Sequence, residues 1–84
     1  MTDWTAQWCG PCKRIAPIYK DLSDAHPSDT FLKIDVDEHA ELAANAGISA
    51  MPTFQLYRDG KMLEQIVGAD PNTLTSCVEK HSAQ

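Results

Sequence analysis

The sequence predicts an α/β fold: a mixed sheet of four strands with helices on both faces, in the order β-α-β-α-β-β-α. Three observations carry this. Apolar residues recur at helical spacing in two stretches, one after Cys9 and one after Asp70. Between them lie a run rich in β-branched and aromatic residues at 30–36 and two further strand-like runs at 53–57 and 62–67. The last two of these flank Arg58-Asp59-Gly60-Lys61, and Asp-Gly between strand-like runs is a strong hairpin signal. With 84 residues, 43% of them hydrophobic, the chain reads as a single domain spanning 1–84 around one modest core.

Each element has a local reason. Residues 2–6 read as the end of a strand. A helix opens near Cys9-Gly10-Pro11, with Ile15, Ile18, Tyr19 and Leu22 on one face. Pro17 lies inside that period and is expected to kink the helix without ending it. His26-Pro27-Ser28-Asp29 breaks it, and 30–36 forms the next strand. Asp37 is expected to cap a short helix over 38–46, which Gly47 terminates in the left-handed region. After the hairpin, Asp70 caps the last helix and Pro71 takes its first position. Leu74, Cys77, Val78 and His81 share one face of that helix. Strands joined through helices are expected to run parallel by right-handed crossovers, with the hairpin adding antiparallel pairs.

Composition narrows the function. The net charge is −5, with no cluster of Lys or Arg, which argues against nucleic acid and anionic membranes as partners. The acidic stretch Asp35, Asp37, Glu38 and Glu41 reads as a solvated loop and helix start. No apolar run approaches the ~20 residues that span a bilayer. The opening residues lack the basic and apolar regions of a signal peptide, so a cytoplasmic location is expected. The cysteine count is three, two of them spaced C-x-x-C. In a reducing compartment such a pair is more often catalytic or metal-binding than structural.

Trp8-Cys9-Gly10-Pro11-Cys12-Lys13 follows a strand and opens a helix, and thiol chemistry needs that placement. A Cys at a helix N-terminus feels the positive end of the macrodipole and meets unpaired N–H groups, which favours its thiolate. Two intervening residues let Cys12, one turn in, reach Cys9 and close a small ring. On this reading Cys9 is outermost and attacks, while Cys12 is more buried and resolves.

Trp8-Cys9-Gly10-Pro11-Cys12-Lys13 resembles the active-site motif of the thioredoxins. The likeness extends through Ile15-Ala16-Pro17, Lys33 with Ile34-Asp35-Val36-Asp37, Met51-Pro52-Thr53, Asp59-Gly60-Lys61 and Val67-Gly68-Ala69. The resemblance implies a thioredoxin-like fold and a protein disulfide oxidoreductase, acting by dithiol–disulfide exchange through Cys9 and Cys12. It implies a cis bond before Pro52, leaving the Met51 backbone free to pair with a bound peptide. It implies an apolar substrate surface of Trp8, Gly10, Pro11, Ala50, Met51, Val67, Gly68 and Ala69. Asp3, six residues before Cys9, matches the buried carboxylate that exchanges a proton with Cys12, and Lys33 matches its neighbouring lysine. The implied partners are disulfide-containing proteins and a thioredoxin reductase, with NADPH as the ultimate donor. No cofactor beyond the cysteine pair is implied.

Competing readings exist for several of these residues. Cys-x-x-Cys is also half of a zinc site, but Cys77, His26, His39 and His81 show no paired ligand spacing, so no metal is expected. Cys77 reads as a small buried hydrophobe. Asp3 could be an exposed terminal acid. The histidines have no partner pattern and read as surface or boundary residues, while Trp4 reads as core and Trp8 as site border. An interaction module with the same fold and little turnover is the alternative function. The thioredoxins normally carry a further strand and helix before the segment that opens this chain. On that ground the chain is expected to be N-terminally truncated. The 30–36 edge is expected to be exposed and to favour a homodimer or oligomer through that edge or the face beside 38–46. Asp3 and its strand are then expected to be weakly anchored, with reduced activity.

Overall fold

A computed structural model describes residues 1–82. Strand β1 (Thr2–Thr5) leads into helix α1 (Gly10–Ala25), followed by β2 (Leu32–Asp35), α2 (Ala40–Asn45), β3 (Thr53–Arg58), β4 (Lys61–Val67) and α3 (Pro71–Ser82). The predicted element order holds. The four strands form one sheet in the order β2-β1-β3-β4. β2 runs parallel to β1, with Asp3 opposite Lys33. β3 runs antiparallel to β1, with Asp3 opposite Phe54, and β4 runs antiparallel to β3.

The direction of β3 corrects an expectation. A helix separates β2 from β3, yet the two strands run in opposite senses. The 16 residues of α1 extend about 24 Å and carry the chain back along the sheet. The six residues of α2 extend only about 9 Å. The chain therefore stays at the carboxyl end of β1 and enters β3 there, at Thr53 opposite Trp4. This reversal places the segment before β3 beside the segment after β1.

The start of α2 is the second correction. Asp35 Oδ1 accepts from the backbone N–H of Asp37 at 2.8 Å and of Glu38 at 3.4 Å, holding 36–39 in a turn. The helix begins only at Ala40, with His39 as an N-cap that makes no side-chain capping bond. Asp37 does not cap it. Gly47 does adopt the left-handed conformation, at φ 73°. The hairpin turn also forms as expected, with Asp59 and Gly60 at φ 54° and 79°. Asp70 caps α3 by accepting from the N–H of Asn72 and Thr73. Pro17 leaves α1 continuous.

The core lies where α1 and α3 pack on the sheet. Ile15, Tyr19 and Leu22 of α1 meet Phe54 of β3 and Leu74 and Val78 of α3. Leu74 is fully buried. Trp4 is buried too, and its indole donates to Gln55 Oε1 at 2.9 Å. β1 is held on both sides, and the terminal ammonium of Met1 donates to the Thr30 carbonyl at 2.6 Å. Asp3 thus lies in a strand paired on both edges, opposite Lys33 and Phe54. β2 forms one edge of the sheet, with Leu32 exposed, as expected for 30–36.

Candidate active site

The turn between β1 and α1 delivers both cysteines. Cys9 is the N-cap of α1, in extended conformation, with Pro11 early in the first turn. Cys9 and Cys12 are joined as a disulfide, with Cα atoms 5.3 Å apart. The backbone N–H of Cys12 donates to Cys9 Sγ at 3.2 Å. One orphan donor of the helix start is thus turned on the first sulfur, as favours a thiolate there. Burial does not separate the two cysteines, which are 4% and 3% exposed. Position does: one caps the helix and the other lies inside it.

The loop before β3 comes to the same place. Met51 and Val36 pack against the small cluster of Ala6, Cys9 and Cys12. The Met51–Pro52 peptide is cis, as the resemblance implied. Pro52 is buried, and its carbonyl accepts from the N–H of Gly68 at 2.9 Å. Gly68 itself sits at φ 110°, a conformation that favours glycine. Thr53 Oγ1 donates to the Ala50 carbonyl at 2.6 Å. These bonds tie the 50–53 and 67–68 segments together next to the disulfide.

The predicted apolar surface divides. Trp8 and Val67 are well exposed, and Gly10, Pro11 and Ala50 are exposed beside them. Ala69 instead packs its methyl against the main core. The Trp8 indole donates to Asp37 Oδ2 at 2.8 Å. Sequence reading missed this partner, because it assigned the Asp37 carboxylate to a helix cap. It also missed Val36, whose place beside the cysteines follows from the parallel pairing of β2 with β1.

Asp3 lies in the central strand and is 1% exposed, so the exposed-acid reading is overturned. Its Oδ1 has no hydrogen-bond partner among the described residues. Burial pushes its carboxyl up to about 6, opposed by the charge of Lys33 across the strand pair. Two open hollows meet Lys33. One, of about 570 Å³, is lined also by Cys12 and Asp35. The other, of about 560 Å³, is lined also by Asp3 and Tyr19.

A second cluster was not foreseen. Cys77 is buried, as expected, but its thiol faces Glu64, and so does the ring of His81. The readable signal was Cys77 and His81 one turn apart on a single helix face.

The thioredoxin family model matches residues 1–80. The chain belongs to the thioredoxin family. It is 47% identical over 79 residues to thioredoxin-1 of Schizosaccharomyces pombe, covering 94% of this chain and 77% of that protein. It is 49% identical to the H-type thioredoxin of Chlamydomonas reinhardtii, covering 99% of this chain and 74% of that one. Among solved structures, Plasmodium falciparum thioredoxin superposes with a TM-score of 0.91 at 41% identity, covering 95% and 82% of the two chains. Like its thioredoxin relatives, the chain is a thiol–disulfide oxidoreductase, and its close cysteine pair is the redox group. Among the described residues no helix is long and apolar enough to cross a membrane.

Proposed function

We propose that the chain reduces disulfides of partner proteins, with Cys9 as nucleophile and Cys12 as resolving thiol. The observation that carries this is the Cys9 sulfur capping α1 and accepting the Cys12 N–H, beside the cis Met51–Pro52 peptide. Cys9 thiolate attacks one sulfur of the partner disulfide. A mixed disulfide forms, and the other partner sulfur leaves as a thiolate and takes a proton. Cys12 then passes its proton toward the Asp3 carboxylate and attacks Cys9 Sγ. The mixed bond breaks, the second partner thiol leaves, and the Cys9–Cys12 bond remains.

Asp3 suits the proton step because a carboxyl titrating near 6 is mostly ionised, yet readily protonated, near neutral pH. Lys33 keeps it from rising further, and the hollows beside Lys33 admit water under α1. Trp8, Gly10, Pro11, Ala50, Met51, Pro52, Val67 and Gly68 frame the partner's peptide, while the Ala69 methyl is turned to the core. The Met51 backbone pairs with it in strand fashion and the exposed Trp8 and Val67 give it an apolar floor.

A thioredoxin reductase using NADPH returns the pair to the dithiol, and no cofactor beyond Cys9 and Cys12 takes part. One solved relative comes from a study of thiol resolution in a yeast mitochondrial 1-Cys peroxiredoxin, and peroxidatic disulfides are a fitting substrate class here. A cytoplasmic setting keeps such a dithiol reduced. The 1–84 chain acts as one domain and associates as a homodimer along the 30–36 edge or the face beside 38–46. Leu32 and Leu42, each about half exposed, supply the apolar contact.

Trapping tests the roles. Cys12→Ser is expected to accumulate a mixed disulfide between Cys9 and a substrate such as insulin, and Cys9→Ser is expected to form none. A trapped adduct on Cys12 instead of Cys9 overturns the assignment. Light scattering that finds only monomer at micromolar concentration overturns the dimer.

A further inference from the structure

Away from the disulfide, β4 and α3 bring three metal-ligating side chains together. Cys77 and His81 stand four residues apart on α3, so both reach the same neighbour. That neighbour is Glu64 on β4. Cys77 Sγ donates to its Oε2 at 3.2 Å, and His81 Nε2 lies 2.6 Å from the same oxygen. The three donor atoms all fall within 4.8 Å of one another. Cys77 is 6% exposed. The other ring nitrogen, His81 Nδ1, is buried with no partner among the described residues, and Nε2 is the ring nitrogen turned to Glu64. Arg58 Nη2 donates to the His81 carbonyl at 2.8 Å and fastens the last turn of α3. An open hollow of about 360 Å³, lined by Thr73, Ser76 and Lys80, reaches the cluster on its Glu64 and Cys77 side.

One thiolate, one imidazole and one carboxylate make a donor set of borderline softness, which suits zinc better than calcium or magnesium. Three protein ligands with an open approach leave a fourth position for water. We propose that Glu64, Cys77 and His81 form a binding site for a zinc-class divalent cation, completed by a water from the hollow. The cation takes the place of protons that now join the cluster: it displaces the thiol proton of Cys77 and the proton between Nε2 and Oε2. Tetrahedral zinc with ligands at about 2.0–2.3 Å holds its donors roughly 3.3–3.7 Å apart. The Nε2–Oε2 contact must open by about 1 Å, which the partly exposed Glu64 carboxylate allows. Lys80 Nζ lies 3.8 Å from the other carboxylate oxygen and opposes the metal charge, but its side chain is largely exposed and free to swing away.

The test is a cobalt(II) titration of the full chain held oxidised at Cys9–Cys12, so that this pair offers no thiolate. One equivalent is expected to produce a thiolate-to-cobalt charge-transfer band and the visible bands of a four-coordinate ion. Zinc is expected to displace cobalt and erase both. Cys77→Ser is expected to abolish the charge-transfer band, and His81→Gln or Glu64→Gln to weaken binding at least about tenfold. His26→Gln and His39→Gln are expected to leave it unchanged. Absence of the band in the parent chain, its survival in Cys77→Ser, or equal loss in His26→Gln overturns the site. Should Cys77→Ser lose its far-ultraviolet dichroism, the His81 and Glu64 variants decide the matter. Insulin reduction is scored separately, so a failed metal site and a failed reductase remain distinguishable.

Discussion

Cys9 and Cys77 are buried to nearly the same degree, yet their surroundings prepare them for opposite chemistry. Cys9 sits at a helix start and receives an N–H from Cys12. Cys77 sits inside a helix and donates its S–H to a carboxylate. Burial, the Glu64 hydrogen bond and the Glu64 charge push the Cys77 thiol up to about 11. What activates a buried sulfur is therefore the sign of the groups that face it. Donors favour the thiolate, acceptors hold the thiol, and a metal ion replaces the held proton.

The largest effect that sharpens this contrast is on turnover and alkylation. Cys9→Ser is expected to lower insulin reduction by about 10³-fold or more. In the reduced parent, iodoacetamide at neutral pH is expected to label Cys9 roughly 10³-fold faster than Cys77, by peptide mass mapping. Equal labelling rates would break the comparison.

Asp3 comes next. Its carboxyl titrates at about 6 in the fold against 3.8 as a free side chain. The folded protein therefore holds a proton that the unfolded chain has lost between those values. The stabilisation is complete below about pH 4 and is lost as pH rises through 6. Asp3→Asn is expected to raise stability at pH 7 by about 1–3 kcal/mol and to flatten its pH dependence between 4 and 6, in urea unfolding. The same variant is expected to slow release of the mixed disulfide, measured by rapid quench.

Two smaller effects follow. Glu64→Gln removes the acceptor and the charge that raise Cys77, so alkylation of Cys77 at pH 8 is expected to speed up by as much as roughly tenfold. No change would assign the raised thiol to burial alone. Trp8→Phe loses the bond to Asp37 on an exposed surface, and is expected to cost under about 1 kcal/mol while weakening substrate KM.

Local chemistry explains which features were readable in advance. Asp59-Gly60, Gly47, Asp70-Pro71 and the Cys9–Cys12 spacing each act through neighbours a few residues away, and each formed as expected. The cis Met51–Pro52 bond came from the family resemblance and also formed. The direction of β3 depended on how far a six-residue helix can carry the chain, which periodicity does not measure. Asp37 was misread because two carboxylates compete for the same turn, and Asp35 takes the backbone while Asp37 takes Trp8. The Glu64 cluster joins a strand to a helix through side chains alone, so only half of it showed as a helical spacing.

The Tyr19 phenol has a consequence for motion. It reaches from α1 to the seam between β1 and β2, at 3.0 Å from the Met1 carbonyl and 2.7 Å from the Leu32 carbonyl. Burial and the nearby Asp3 push its ionisation upward, so the phenol keeps its proton throughout the working range. One phenol hydrogen thus faces two acceptors, at the start of β2 and just before β1, and forms a clasp between them. When it lets go, β2 has β1 as its only strand neighbour among the described residues. Amide hydrogens of β2 should then exchange with solvent before those of β3, and the first breath of this fold begins at the clasp.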